Sequence, residues 1–216
     1  MNEHIMQQQD RILYLSGDIE SNNVSEVCKQ ILSIQNEDRV GSEKFKKWEY
    51  RPIQLHIQSF GGSIHDMWAL IDIMETSPTP IITYCSGMCM SAAAMIFLAG
   101  HIRCMYKHST IMFHQLSSFM VGKYEDIKLE QVNLDDMHKQ MIKFIKKHTN
   151  LNKKFYERFG KLKQDVYLDS DKCLKYGVCD DIIEPTEWRK ELLQNIAALE
   201  QAATESVCDA ECDCEC

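Results

Sequence analysis

Apolar and polar positions along the chain predict strands and helices in turn. Short apolar or alternating runs, the pattern of β-strands, lie at residues 11–15, 53–58, 81–84, 109–114, 166–168 and 178–183. Helical patterns lie at residues 24–32, 63–76, 91–100, 125–148, 151–159, 169–176 and 187–201. Because strands alternate with helices, the pattern predicts an α/β layered fold.

Two further stretches interrupt this alternation. Residues 36–50 are polar, carry both charge signs and include Gly41, which predicts a long surface loop. Residues 202–216 form an acidic, cysteine-rich tail that we expect to be disordered. The predicted organisation is therefore a short N-terminal segment at residues 1–10, one domain at residues 11–201, and the tail.

Composition narrows the class of protein. With 216 residues the chain can bury one sizeable core, and 44% apolar and 26% charged residues are typical of a soluble globular protein. A net charge of −8 argues against a nucleic-acid surface. No apolar run approaches the roughly 20 residues that cross a bilayer, and the polar first ten residues lack a signal-peptide core. We therefore expect a cytoplasmic protein without a membrane or nucleic-acid partner.

The ten cysteines fall into two groups. Six lie in apolar or helical surroundings and are predicted to act as small buried hydrophobes: Cys28, Cys85, Cys89, Cys104, Cys173 and Cys179. Four lie in the tail, at Cys208, Cys212, Cys214 and Cys216, and could bind a soft metal. Their spacing lacks paired Cys-x-x-Cys motifs, so we predict a solvated tail, no metal and no cofactor.

Two strand-to-helix junctions carry the candidate chemistry. The first contains Gly61 and Gly62, whose backbone N–H groups are not covered by a Cβ. The second ends on Ser91, which small alanines follow, so a substrate backbone could approach its hydroxyl. Most serines at helix starts are caps, and the Gly-x-Ser-x-Gly elbow of α/β-hydrolases is absent. One junction could bind an anion while the other attacks a carbonyl.

A serine nucleophile needs a base, and His114 is the best-placed histidine. It ends an apolar strand, and histidine titrates near neutral pH. Taken alone, His114 fits a buried structural histidine better, and His101 and His108 are rivals. Asp165, just before a strand fragment, could orient the imidazole, although in isolation it is an ordinary loop aspartate.

Five short segments in order resemble the Clp protease proteolytic subunit family, a self-compartmentalised serine peptidase. The segments lie at residues 57–63, 85–94, 110–115, 165–168 and 175–180. The likeness as a whole extends over residues 11–183. The resemblance implies that Ser91 is the nucleophile, His114 the general base and Asp165 its orienting carboxylate. It also implies an oxyanion hole from the N–H groups of Gly62 and Ala92.

The resemblance further implies a crotonase-like ββα spiral with a protruding long helix, residues 125–148, as a handle between two heptameric rings. Peptide or unfolded-protein substrate would lie as an extended strand beside Gly61, Gln115 and Leu116. The homo-oligomer, a tetradecamer, would work with an AAA+ ATPase unfoldase.

Several positions depart from the family pattern. Phe60 and Leu116 replace prolines, Ser117 and Ser118 replace glycines, and Gln164 stands where the family usually has an arginine. The segment before the first strand is short, and the predicted loop at residues 36–50 is longer than its counterpart. These departures could change whether the protein depends on an unfoldase. The residues that the resemblance implies for catalysis, Ser91, His114 and Asp165, are all present.

The leading hypothesis is a serine endopeptidase that hydrolyses peptides and unfolded proteins inside an oligomeric chamber. One alternative is a catalytically weak or inactive structural subunit of the same fold. Another is a crotonase-fold acyl-CoA enzyme, which uses a similar oxyanion hole. A membrane-associated signal-peptide peptidase with a serine–lysine pair is disfavoured, because no lysine stands in a comparable segment.

Overall fold

A computed structural model describes residues 10–117, 120–162, 164–185 and 196. The chain divides into two units, Met1–Ile183 and Glu184–Cys216, and the fold below is that of the first. The helix predicted at residues 187–201 lies, apart from Ile196, outside the described residues, as do the predicted tail and residues 1–9. The predicted boundaries after residues 10 and 201 therefore stay predictions.

The described residues form an α/β fold, which confirms the predicted class. The strands are β1 Ile12–Ile19, β2 Ile53–Gly62, β3 Ile81–Met90, β4 Ile102–Tyr106, β5 Thr110–Phe113, β6 Val166–Asp169 and β7 Asp181–Ile183. The helices are α1 Ser21–Lys44, α2 Ile64–Glu75, α3 Ala92–Leu98, α4 Tyr124–His148, α5 Lys153–Tyr156 and α6 Ser170–Lys175. A π-helical turn, Glu157–Lys161, follows α5. In the described residues, no helix is long and apolar enough to cross a membrane.

The sheet is parallel except at one pairing. Its main order is β1-β2-β3-β4-β7, while β5 pairs with β3 and with β6, and the β5–β6 pair is antiparallel. The core lies on the helix side of the sheet: Ile53, Leu55 and Ile57 of β2 are fully buried, and the residues between them are not. All seven residues of α3 are buried, and the alanines at its start let it pack closely on the sheet.

Strand β3 bends in its middle and so has different neighbours along its length. Its first half pairs with β4, and its last three residues pair with β5. In the pairing with β2, Ile57 lies opposite Cys85 and the next pair is Ser59 with Cys89. Strand β3 therefore has three residues between these pairs where β2 has one, which is a β-bulge. The bend carries the end of β3 to the end of β5, so the residues after these two strands meet at one edge.

A buried hydroxyl holds this bulge. Gly87 lies at its centre with a φ of 72°, a conformation that favours glycine. The Ser109 hydroxyl accepts a hydrogen bond from the Gly87 N–H at 2.9 Å and donates one to the Cys85 carbonyl at 2.9 Å. Ser109 is 2% exposed, so both bonds lie away from water. The sequence prediction gave this serine no role and ended the strand at residue 84.

The predicted loop at residues 36–50 is wrong, because α1 continues to Lys44. Its buried face runs on from Ile34 to Asp38 and Gly41 at helical spacing. The Asp38 carboxylate is fully buried and accepts hydrogen bonds from Arg11, Thr79 and Trp48. These partners lie far away in sequence, so the polar run reads as a loop until they are known.

Other boundaries differ less. The long helix predicted at residues 125–148 is confirmed as α4, Tyr124–His148. Its end is anchored by Met141, Phe144 and Ile145, whereas residues 124–133 are exposed. Strand β4 was not predicted, and the helix predicted at residues 151–159 is α5 with the π-helical turn. Of the six cysteines predicted to be buried, Cys28 and Cys104 are half-buried and the other four are buried.

Candidate active site

Ser91 occupies a tight turn between β3 and α3. Its φ is 54° and its ψ −120°, and it is the one described residue other than glycine with a positive φ. Such a conformation costs of order 1–3 kcal/mol and persists where the surrounding structure enforces it. The Ser91 N–H donates to the Met112 carbonyl at 2.9 Å, which ties the turn to β5. The side chain makes no capping hydrogen bond, so Ser91 is not an ordinary helix cap.

The Ser91 hydroxyl instead contacts His114. Its Oγ lies 2.7 Å from the His114 Nε2, within reach for direct proton transfer. His114 directly follows β5 and is half-buried. With the ring proton on Nδ1, Nε2 can accept the hydroxyl proton. The rival histidines do not contact Ser91: His108 is exposed, and the Nδ1 of His101 accepts a hydrogen bond from Ile81.

The glycine pair is packed closely on both sides, with Gly61 against the Ser91 turn and Gly62 against Ile19 of β1. Gly61 has a φ of 109°, and a Cβ on it would lie 2.7 Å from the Ser91 Cβ. Gly62 has a φ of 150°, and a Cβ there would lie 2.3 Å from the Ile19 carbonyl oxygen. Both positions therefore exclude a side chain. Ala92 is the first residue of α3, so its N–H has no partner within the helix.

Asp165 directly precedes β6, the strand that pairs with β5. It is exposed, and no hydrogen bond joins it to His114 among the described residues. The antiparallel register of β5 and β6 ends with Phe113 opposite Val166. One position further, the same register sets His114 opposite Asp165, where Cβ atoms are typically about 4.5–5.5 Å apart. The structure brings Ser91 and His114 into contact, whereas Asp165 is related to them by the strand register alone.

A cavity of about 350 Å³ opens beside the two contacting side chains. Ser91, His114 and Gly62 line it, together with Leu116 and residues of α4. Gln115 also lines it, and its Nε2 donates to the Gly160 carbonyl at 2.8 Å. A second cavity of about 430 Å³ shares Gln115 and Leu116. A cavity of about 660 Å³ between β1 and α1 contains none of the candidate residues.

The described residues include no group of three or more His, Cys, Asp or Glu side chains arranged to hold a metal ion. The four tail cysteines lie outside the described residues. Near the site, burial raises the pKa of the Cys89 thiol, with the neighbouring Cys85 adding to the effect. Cys89 is therefore a neutral, buried thiol rather than a rival nucleophile.

Comparisons with a protein-family profile and with individual proteins all match Clp proteases. A protein-family profile described as Clp protease matches residues 3–186. The chain is 28% identical over 178 residues to "ATP-dependent Clp protease proteolytic subunit 1" of Rhodopirellula baltica, covering 81% of this chain and 73% of that protein. It is 26% identical over 179 residues to "ATP-dependent Clp protease proteolytic subunit" of Deinococcus radiodurans, covering 82% of each. For "ATP-dependent Clp protease proteolytic subunit 2" of Corynebacterium diphtheriae, identity is 28% over 181 residues, with 82% and 84% covered.

Proposed function

The chain belongs to the Clp protease family as a proteolytic subunit of the Clp type, and we propose that it is a serine endopeptidase whose catalytic residues are Ser91, His114 and Asp165. The observation that carries the proposal is the 2.7 Å contact between the Ser91 Oγ and the His114 Nε2. A serine and a histidine in hydrogen-bond contact, beside a cavity, are the minimum for acyl transfer. The substrates are peptides and unfolded proteins.

In the first half of the reaction, the Ser91 Oγ attacks the scissile carbonyl carbon while the His114 Nε2 takes the hydroxyl proton. The imidazolium then gives this proton to the leaving amine, and Ser91 carries the acyl group. In the second half, water loses a proton to His114 and attacks the ester, and Ser91 recovers its proton. Both halves use the same short path between Oγ and Nε2.

The oxyanion of each tetrahedral intermediate is bound by the N–H groups of Gly62 and Ala92. Ala92 offers an N–H that has no partner within the helix, at the start of α3. Because Gly61 and Gly62 exclude side chains, this part of β2 lies close to the Ser91 turn. Loss of one such donor typically reduces kcat by about 10²–10³. Gly61, Gln115 and Leu116 contact the backbone of the substrate.

Asp165 orients the His114 ring and stabilises its cationic form. The support is the β5–β6 register, which sets the two residues opposite each other one step beyond the last pair. In this proposal the segment before β6 brings the carboxylate to Nδ1 when substrate binds. Catalytic hydrogen bonds are often long in unliganded enzymes and shorten with substrate.

The chain works as a homo-oligomer of heptameric rings, in which α4 is the handle. Residues 124–133 of this helix are exposed in the single chain, and its apolar side chains there include Leu129 and Val132, 65% and 56% exposed. Such a stripe suits contact with a second copy. The relatives named above are called ATP-dependent, and we propose an ATPase unfoldase as a further partner.

The test is labelling with a serine-reactive phosphonate, followed by mass spectrometry, and hydrolysis of a fluorogenic peptide. Wild-type protein should be labelled at Ser91 and hydrolyse the peptide, and Ser91→Ala should do neither. Ser63→Ala is a matched control, because Ser63 caps α2 and should leave Ser91 labelling in place. A folded wild-type protein that is neither labelled nor active would support the inactive-subunit alternative. Coenzyme A binding in its place would support the acyl-CoA enzyme.

A further inference from the structure

The cavity beside Ser91 has one wall made by a single stripe of α4. Glu130, Leu134, Met137 and Met141 line the cavity, and their spacing of four, three and four residues puts them on one face of the helix. The lower part of this wall is apolar and includes flexible methionine side chains. The residue at the N-terminal end of the stripe, Glu130, contributes a carboxylate.

Glu130 has no cationic partner in the part of the chain that the structure describes. Among the described residues it forms no ion pair, and its one hydrogen bond comes from the Asn133 Nδ2 at 3.5 Å. None of the described residues that line the cavity is a lysine or arginine. His65 and His114 are the other ionisable side chains there. The adjoining cavity adds a second carboxylate, Asp135, which lies near Lys139.

We propose that Glu130 is a specificity-determining residue, which favours substrates with lysine or arginine at the position whose carbonyl is attacked by Ser91. The inference rests on the proposed peptidase function. Glu130 and Leu134 are one helical turn apart, about 6 Å along α4. A lysine or arginine side chain is long enough to cover this distance. Its aliphatic part can pack on Leu134 and Met137 while its charged group reaches Glu130.

The experiment compares two fluorogenic peptides that differ only at this position, one with lysine and one with norleucine. Norleucine has the same unbranched carbon chain without the ammonium group. The Glu130 carboxylate is exposed, so the ratio of kcat/KM for lysine over norleucine should fall about threefold in Glu130→Gln. It should fall further in Glu130→Lys. Added salt should lower the ratio in the wild type and leave it unchanged in Glu130→Gln.

Glu125→Gln is the matched control, since Glu125 lies in the first turn of the same helix, outside the cavity, and pairs with Lys128. It should keep the wild-type ratio. Hydrolysis of both peptides with the same ratio in wild type and Glu130→Gln would overturn this inference alone. If neither peptide is hydrolysed and Ser91 is not labelled, the proposed function fails and the inference fails with it.

Discussion

Asp38 and Ser91 each lie at the centre of a polar cluster, but the two clusters differ in how fully they are hydrogen-bonded. Each Asp38 carboxylate oxygen accepts two hydrogen bonds, from Arg11 and Trp48 at one and from Arg11 and Thr79 at the other. Ser91 and His114 share one hydrogen bond, and the His114 Nδ1 has no partner among the described residues.

This difference separates a cluster that holds the fold from one that is available to a substrate. The Asp38 cluster joins α1 to the residue before β1 and to the segment before β3, and both oxygens of its carboxylate are hydrogen-bonded within one chain. The Ser91 turn keeps a strained backbone and, at Ala92, an N–H without a partner within its helix. At the Ser91 cluster a residue other than glycine has a positive φ. Such departures from local conformational preference are expected at functional sites.

Asp165→Asn should have the largest effect at the Ser91 cluster. Without the carboxylate, His114 loses its orientation and the stabilisation of its cation, and kcat should fall by roughly 10³–10⁴. The melting temperature should change little, because Asp165 is exposed and unbonded. Peptide hydrolysis and thermal unfolding are measured on the same samples.

Asp169→Asn is the control for this change. Asp169 is the last residue of β6, the strand that Asp165 precedes, but it lies opposite Thr110 and caps α6. Asparagine is also a good cap, so both activity and stability should stay near wild type. Equal kcat values for Asp165→Asn and wild type would show that the Ser91 cluster works as a pair.

Asp38→Asn should have the reverse effect, a loss of stability with little loss of chemistry. It leaves the Arg11 guanidinium, 5% exposed, without its anion. Removing one partner of a buried ion pair typically costs about 3–5 kcal/mol, measured by urea unfolding. Arg39→Ala, in an exposed ion pair with Glu43 on the same helix, should cost less than about 1 kcal/mol. A destabilisation of Asp38→Asn no greater than that of Arg39→Ala would contradict the structural role.

Sequence patterns were sufficient for the parts of the fold that are locally amphipathic. Helix α4 and most strands follow from their apolar spacing, because each buries a stripe that is visible in the sequence. The second half of α1 could not be predicted in this way, since its buried face passes through Asp38 and Gly41. A buried aspartate is recognisable only through its partners, and these lie 10, 27 and 41 residues away.

The candidate site was predictable to a similar extent. Ser91 and His114 were candidates by residue type and position, their roles came from the family resemblance, and the structure brings them into contact. The sequence could not show how that contact arises, because it depends on the bulge in β3 and on Ser109, which lies 24 residues from Cys85. A serine in an apolar run gives no signal of a structural hydrogen bond.

Ser109→Ala should affect both properties by smaller amounts, because Ser109 is buried like Asp38 and supports the strand that ends at Ser91. It leaves the Gly87 N–H without an acceptor, which typically costs about 1–3 kcal/mol. A shift of the bulge should also lower kcat, by about tenfold, since misplacement by 1 Å can cost up to about 10².

Ser170→Ala is the matched control for Ser109→Ala. Its hydroxyl is also 2% exposed and donates to the Lys107 carbonyl at 2.8 Å, at the start of α6. It should lose similar stability and keep the wild-type kcat. If the two variants had the same kcat, the bulge would have no influence on the Ser91 turn.

The smallest expected effect is the pH dependence of the Asp38 cluster. Burial alone would raise the pKa of the Asp38 carboxyl, but the hydrogen bonds from Arg11, Thr79 and Trp48 outweigh it and lower the pKa. A carboxyl with a lowered pKa in the folded state stabilises the fold above its unfolded pKa of about 3.9 and loses that contribution as the pH falls below it. The stability difference between wild type and Asp38→Asn, from urea unfolding, should therefore be constant from pH 7 to pH 5 and shrink below about pH 4.

Glu75, Asp169 and Asp180 also have lowered pKa values, but they occur in both proteins and cancel in the difference. A difference that grows on acidification would mean that the buried carboxyl is already protonated at neutral pH, and that the Asp38 cluster is held by neutral hydrogen bonds rather than by an ion pair.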